Sequence, residues 1–182
     1  MQTRTEKGGK NSEGPIGTGL VIERRFTTIG EDPFDQFDWI EMDVEIRNAD
    51  GSLAHRIDDV RLPSGFSGVA GKVLAQKYLR KAGVPAILRK VKEKGVPTWL
   101  QRSEPDHEKL QSLDPEKRFI GESHGRELFR RLAGTWTYWG WKHGYFEAEA
   151  DARAYFDEMC YLIASQRSAP NSPQWFNTGL HW

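Results

Sequence analysis

From Ile40 through Met42 and Val44 to Ile46, apolar side chains fall at every second position, with Asp43, Glu45 and Arg47 on the alternate ones. Period two puts successive side chains on opposite faces of an extended strand. Asn48-Ala-Asp-Gly51 then supplies turn chemistry, and Leu53, His55 and Ile57 resume the period on the far side. The sequence therefore predicts a β-hairpin from about Trp39 to about Val60.

Helical spacing dominates most of the chain beyond the hairpin, whose end Pro63-Ser64 punctuates. Val69, Val73, Leu74 and Tyr78 lie near a helical period, with Lys77, Arg80 and Lys81 late and Gly83 placed as a terminator; this predicts a helix of about four turns. Gly83-Val-Pro85 recurs as Gly95-Val-Pro97, and the charged stretch between them fits either an extended segment or one helical turn. Residues 102–118 are expected to form a solvated connection with short helical turns after Pro105 and Pro115. From Ser123 a helix carries Leu128, Phe129 and Leu132 on one side, and Gly134 is expected to end it. The aromatic run TWTYWGWKHGYF comes next. Glu147 to Ser165 should be the longest helix, with a stripe of Ala148, Ala152, Tyr155, Phe156, Met159, Leu162 and Ile163 and acids in its first turns, where the helix dipole favours them. The fold class expected is α+β, mainly α, with one small hairpin.

The chain closes on APNSPQWFNTGLHW, Ala169 to Trp182. Pro170 and Pro173 bracket Asn171 and Ser172, and a residue before proline is pushed away from helical geometry, so this segment is expected to be extended. Trp175, Phe176 and Trp182 stand beside amide, hydroxyl and imidazole groups, the mixture of a cleft wall. At the other end, residues 1–18 hold charges, Gly, Ser and Pro with almost no apolar side chains, and are expected to form a disordered arm. Residues 19–182 then make one domain. A hydrophobic content of 37% and a mean hydropathy of −0.68 are low for a compact domain, which implies an unfolded part or a missing partner.

Composition also narrows the chemistry. With 26 basic and 26 acidic residues no global field attracts nucleic acid or an anionic membrane, and neither is expected as a partner. No apolar run suffices to span a bilayer and no secretory leader is recognisable, so a cytoplasmic protein is the default. One cysteine, Cys160, excludes an internal disulfide and is expected to be a small buried or half-buried side chain on the long helix. The five histidines are scattered, CxxC and HExxH are absent, and no metal site is expected. GxGxxG, the P-loop and GxSxG are absent too. Trp136, Tyr138, Trp139 and Trp141 fit an interdigitated core or docking surface better than a base-stacking platform, because a stacking platform needs a basic groove beside it. Lys77, Arg80 and Lys81 read as a solvated basic face. Ser172, between two constrained residues, suits hydrogen bonding to a ligand hydroxyl or phosphate, and Asn171 beside it is the weaker candidate.

RRFTTIGEDPFDQFDWIEMDVEIRNADGS, FSGVAGKVLAQKYLRKAGVP, GTWTYWGW and APNSPQWFNTGLHW together resemble the N-terminal region of class II, adenosylcobalamin-dependent ribonucleotide reductases, over roughly residues 24 to 182. The resemblance implies a largely helical N-terminal domain that normally precedes a ten-stranded α/β barrel. It implies an enzyme that replaces the ribose 2′-hydroxyl of a ribonucleotide by hydrogen through a cysteine thiyl radical, for DNA synthesis. Adenosylcobalamin is the implied cofactor, with no binding site expected within this chain. A substrate-binding role falls on Ser172, more weakly on Asn171, and no catalytic residue is implied here. The family's radical and redox cysteines lie downstream of residue 182, and Cys160 matches none of them. The chain is thus expected to be truncated before its barrel, inactive alone, and partnered by a barrel domain in cis or in trans, the complete enzyme being a possible homodimer. A non-catalytic interaction or regulatory module derived from the same domain is the alternative, and a nucleotide- or RNA-binding domain built on the tryptophans is a third reading.

Overall fold

The computed structural model describes residues 19–179; the arm expected over residues 1–18, and Leu180, His181 and Trp182, lie outside them. The hairpin forms where period two demands it: β1 (Trp39–Arg47) pairs antiparallel with β2 (Leu53–Pro63). The turn closes through Gly51 N–H to the Asn48 carbonyl at 2.9 Å, with Gly51 at φ +85, a conformation that glycine adopts without strain. Val44, Val60 and Leu62 are fully buried.

Helix α1 (Gly68–Lys77) starts at Ser67, whose hydroxyl accepts from Ala70 N–H, the usual N-cap bond. It is shorter than the sequence spacing implied. The chain leaves helical geometry after Tyr78, and Gly83, at φ +79, turns the loop into β3 (Val84–Pro85). The segment between the two Gly-Val-Pro repeats is extended: β4 (Leu88–Lys90) pairs with β5 (Ser103–Pro105), after which comes α2 (His107–Gln111). A 3-10 turn at Pro115–Lys117 leads into β6 (Phe119–Ile120), which pairs with β3.

Two long helices carry the core. Helix α3 (Gly125–Lys142) begins with a reciprocal cap, His124 Nδ1 accepting from Arg126 N–H while Glu127 accepts from His124 N–H. It does not stop at Gly134. Glycine costs a helix only ~1 kcal/mol relative to alanine; here Gly134 is buried and the helix runs on through the aromatic residues to Lys142, making it longer than α4 (Glu149–Ala164). The chain turns at Gly144, φ +68, and folds back over Gly140. A Cβ there would stand 2.7 Å from the Phe146 ring, so only glycine lets the α3–α4 connection pack this closely.

Between hairpin and helices lie Phe34, Leu128, Phe129, Leu132, Cys160 and Ile163, all 0–2% exposed. The architecture is thus α+β, a helical pair covered by one hairpin and flanked by two minor strand pairs. No described helix is long and apolar enough to cross a membrane.

Candidate functional site

The segment expected to be extended is helical from Ser172. Asn171, at φ −63 and ψ 153, keeps the extended geometry that a proline-rich stretch favours, and α5 (Ser172–Asn177) begins immediately after it. Proline breaks helix interiors because it lacks an N–H, but in the first turn that N–H has no partner anyway. Pro173 therefore opens α5 rather than preventing it.

Ser172 and Asn171 are both exposed. Asn171 uses its backbone carbonyl to receive Gln174 N–H at 2.9 Å, and its side chain makes no capping bond. The Ser172 Oγ lies 2.9 Å from the hydroxyl of Tyr78, a residue that sequence spacing marks only as part of a helical stripe. The Tyr78 ring stacks on Trp175, centroids 5.2 Å apart and 19° from parallel, and meets Phe176 at 5.3 Å. Trp175 is 6% exposed whereas Phe176 is 45% exposed, so one aromatic anchors α5 and the other faces solvent.

A buried guanidinium fixes this arrangement. Arg131, on α3, donates to the carbonyls of Trp175 (3.1 Å) and Thr178 (2.9 Å) through Nη1, and to the Tyr78 carbonyl (3.0 Å) through Nη2. Its Nε and Nη2 also meet Glu122 at 2.7 and 3.2 Å. Both ions are nearly sealed from water, with side chains 6% and 4% exposed. A buried ion pair is tolerated when its remaining donors and acceptors are satisfied, and here they are. Glu122 additionally accepts Arg80 N–H at 2.9 Å, and its own N–H reaches the Arg80 carbonyl at 2.7 Å. Arg80 is therefore not part of a solvated basic face. Its Nε and Nη2 are buried without a hydrogen-bond partner, and burial, reinforced by the charge of Arg131, holds its guanidinium below the ordinary arginine value despite Glu122. Gly179, at φ +80, completes the fit: a Cβ would lie 2.9 Å from the Arg131 carbonyl.

Cys160, beside the apolar stripe of α4, is fully buried, and burial pushes its thiol well above the ordinary value. That suppresses the thiolate that nucleophilic or redox chemistry requires. Among the described residues no three His, Cys, Asp or Glu side chains gather as metal ligands. The aromatic run is divided. Tyr138 donates to Glu93 at 2.7 Å and Trp141 to the Gly95 carbonyl at 2.6 Å, whereas Trp136 and Trp139 line a cavity of about 600 Å³ with Leu20, Ile22, Phe146 and Tyr155.

Residues 41–166 match the family model of class II vitamin B12-dependent ribonucleotide reductase. The chain belongs to this family. It is 54% identical over 163 residues to the vitamin B12-dependent ribonucleotide reductase of Bradyrhizobium diazoefficiens, a match covering 90% of this chain and 13% of the relative. The Agrobacterium fabrum reductase is 53% identical over the same shares, and that of Streptomyces avermitilis is 30% identical over 94% of this chain and 14% of its own length. The chain thus spans roughly an eighth of the class II reductases it resembles, and the matched family model is that of their N-terminal domain. The latch of Arg131 and Glu122 lies within the stretch the family model matches, as does Tyr78, while Asn171 and Ser172 lie beyond it.

Proposed function

We propose that this chain is the N-terminal domain of an adenosylcobalamin-dependent ribonucleotide reductase, and that it presents Ser172 to the ribonucleotide which a catalytic barrel, in cis or in trans, reduces. The observation that carries this reading is the fixation of an exposed serine hydroxyl by buried machinery. Ser172 opens a short helix whose last carbonyls are tied to Arg131, whose tryptophan is buried, and whose hydroxyl meets Tyr78. A surface serine in a free tail needs none of this. Preorganised polar groups of this kind contribute to binding because little entropy is lost when the ligand arrives. Asn171, exposed beside it, is the weaker contact.

The cofactor would supply the radical-generating cobalt–carbon bond. The cavity beside Trp136 and Trp139 does not fit a corrinoid, whose rim of amide groups needs many polar partners: apart from His143 it is walled by aromatic and aliphatic side chains. No residue of this chain is assigned to it. Cys160, sealed in the core with a raised pKa, is assigned no part in radical or disulfide chemistry.

Mixing this chain with a barrel-containing reductase chain that lacks its own N-terminal domain tests the proposal. Restored deoxyribonucleotide formation, with KM raised about ten-fold by Ser172→Ala, is the expected result, the magnitude being that of one hydrogen bond to a charged or strongly polar ligand group. Stable association without activity would instead identify a regulatory module.

A further inference from the structure

Resting on the reading of Ser172 as a substrate contact, we infer that Tyr78 is a positioning residue for that serine, turning the Ser172 O–H outward toward an acceptor oxygen of the nucleotide. Two hydroxyls 2.9 Å apart share one hydrogen bond. The phenol is the more acidic of the two and so the better donor, while the aliphatic oxygen is the better acceptor. Tyr78 therefore donates to Ser172 Oγ, and the serine proton is left free to point away from the ring. Donation into Ser172 also polarises its remaining O–H, since consecutive hydrogen bonds strengthen one another.

The surroundings hold the phenol where this requires. The Tyr78 ring lies against Trp175 and Phe176, both on the helix that Ser172 opens. The same Arg131 guanidinium binds the Tyr78 carbonyl and the carbonyls of Trp175 and Thr178. One planar, buried group thus sets the distance between the two segments that carry the two hydroxyls. The acceptor is oxygen-rich, a phosphate or a ribose hydroxyl.

Tyr78→Phe keeps the ring contacts and removes a single oxygen. In the reductase reconstituted with this chain, KM and kcat are measured for Tyr78→Phe, Ser172→Ala and the double variant, with ribonucleoside di- and triphosphates. The expected result is a KM raised about three- to ten-fold by Tyr78→Phe, kcat within about two-fold of wild type, and a double variant no worse than Ser172→Ala alone. The thermal midpoint of Tyr78→Phe should match wild type, which separates positioning from loss of packing. Impairment by Ser172→Ala with none by Tyr78→Phe overturns the role of Tyr78. Effects that multiply in the double variant overturn its action through Ser172. A silent Ser172→Ala removes the underlying substrate reading, and the inference with it. Inhibition constants of inorganic pyrophosphate and of the bare ribonucleoside identify the acceptor: whichever is weakened by Tyr78→Phe supplies the oxygen, and weakening of neither overturns the proposal.

Discussion

The two ends of the described chain are fastened to the same helical pair by opposite chemistry. At the C-terminal end Arg131 of α3 donates to three backbone carbonyls, those of Tyr78, Trp175 and Thr178. At the N-terminal end Glu158 of α4 accepts the backbone N–H groups of Arg25, Phe26 and Thr27 and the Thr27 hydroxyl, all through Oε1 at 2.7 to 3.1 Å. Asp151 takes Ile22 N–H at 2.9 Å, and Arg24 pairs with Asp157 at 2.7 Å. A guanidinium keeps its charge at every accessible pH, whereas a carboxylate does not. The candidate site is thus held by a permanent fastening and the opposite end by a titratable one.

The largest effect is expected where a buried charge loses its ion-pair partner. Arg131→Ala would strand Glu122 in a 4% exposed position and release three carbonyls, a loss of about 3–5 kcal/mol. Urea unfolding measures it. Arg131→Lys retains the charge but lacks the planar fork, and should recover only part of the loss. A loss within error for Arg131→Ala would mean that α5 is held by Trp175 packing and that the polar latch is incidental.

The corresponding change at the other end should cost less. Glu158→Ala frees donors on a segment that is half-buried, so water recovers part of their bonding, and about 2–3 kcal/mol is expected. Hydrogen exchange at Arg25, Phe26 and Thr27 should accelerate while the amides of α3 remain protected. Uniform acceleration would show that the strap and the core open as one unit.

Acid separates the ends without mutation. Burial pushes the Glu158 carboxyl up, but the bonds from Thr27 and the amides of Phe26 and Arg25 outweigh it and hold the group below its ordinary value near 4.5. A folded-state pKa below the unfolded one contributes stability that is complete above the unfolded value and is lost as pH falls through the folded one. Asp157 runs the other way. Burial outweighs its pairing with Arg24 and raises it above the ordinary aspartate value, so its protonation on acidification favours the fold. Release of residues 19–27 should accordingly track Glu158, below pH 4.5, while the contacts of Arg131 to α5 persist. Simultaneous loss of both ends on acidification would contradict the division.

Both fastening residues leave the same trace in the sequence. Leu128, Leu132 and Thr135 are buried on one face of α3, and Arg131 sits on that face among them. Glu158 likewise interrupts the stripe of Tyr155, Met159 and Leu162 on α4. A charge inside an apolar stripe is a signal that a buried partner exists. It does not name the partner, because Tyr78, Trp175 and Thr178 lie 44 to 53 residues away. What rested on local periodicity was legible: the hairpin, the two short turns after Pro105 and Pro115, and the stripe of α4 from Ala152 to Ile163, although Ala148 is the exposed residue that caps the helix rather than part of it. What depended on tertiary context was not. Gly134 reads as a terminator until burial carries α3 past it, and Pro173 reads as a breaker until its place in the first turn is known. Ser172 was visible as a constrained hydroxyl, but Tyr78, 94 residues away, was not visible as its partner.

The smallest expected effect is also the most discriminating. Thr27→Val removes one hydroxyl from the strap at nearly constant volume and leaves the three backbone donors to Glu158 in place. The bond lost to Glu158, 2.7 Å long, together with the acceptor lost to Arg24 Nη1 at 2.9 Å, is worth about 1.5 kcal/mol, the low end for a bond to a charged group because the segment is only half-buried. Because that bond favours the charged carboxylate, its removal lets burial draw the Glu158 pKa upward. The acid release of residues 19–27 should then move to higher pH, stability at neutral pH should fall by about the worth of the lost bonds, and nucleotide KM in the reconstituted reductase should not change. A shift toward lower pH would mean that a carboxylate other than Glu158, such as Asp151, governs that end. A change in KM would mean that the two ends communicate through α3 and α4, and that the titratable fastening tunes the permanent one.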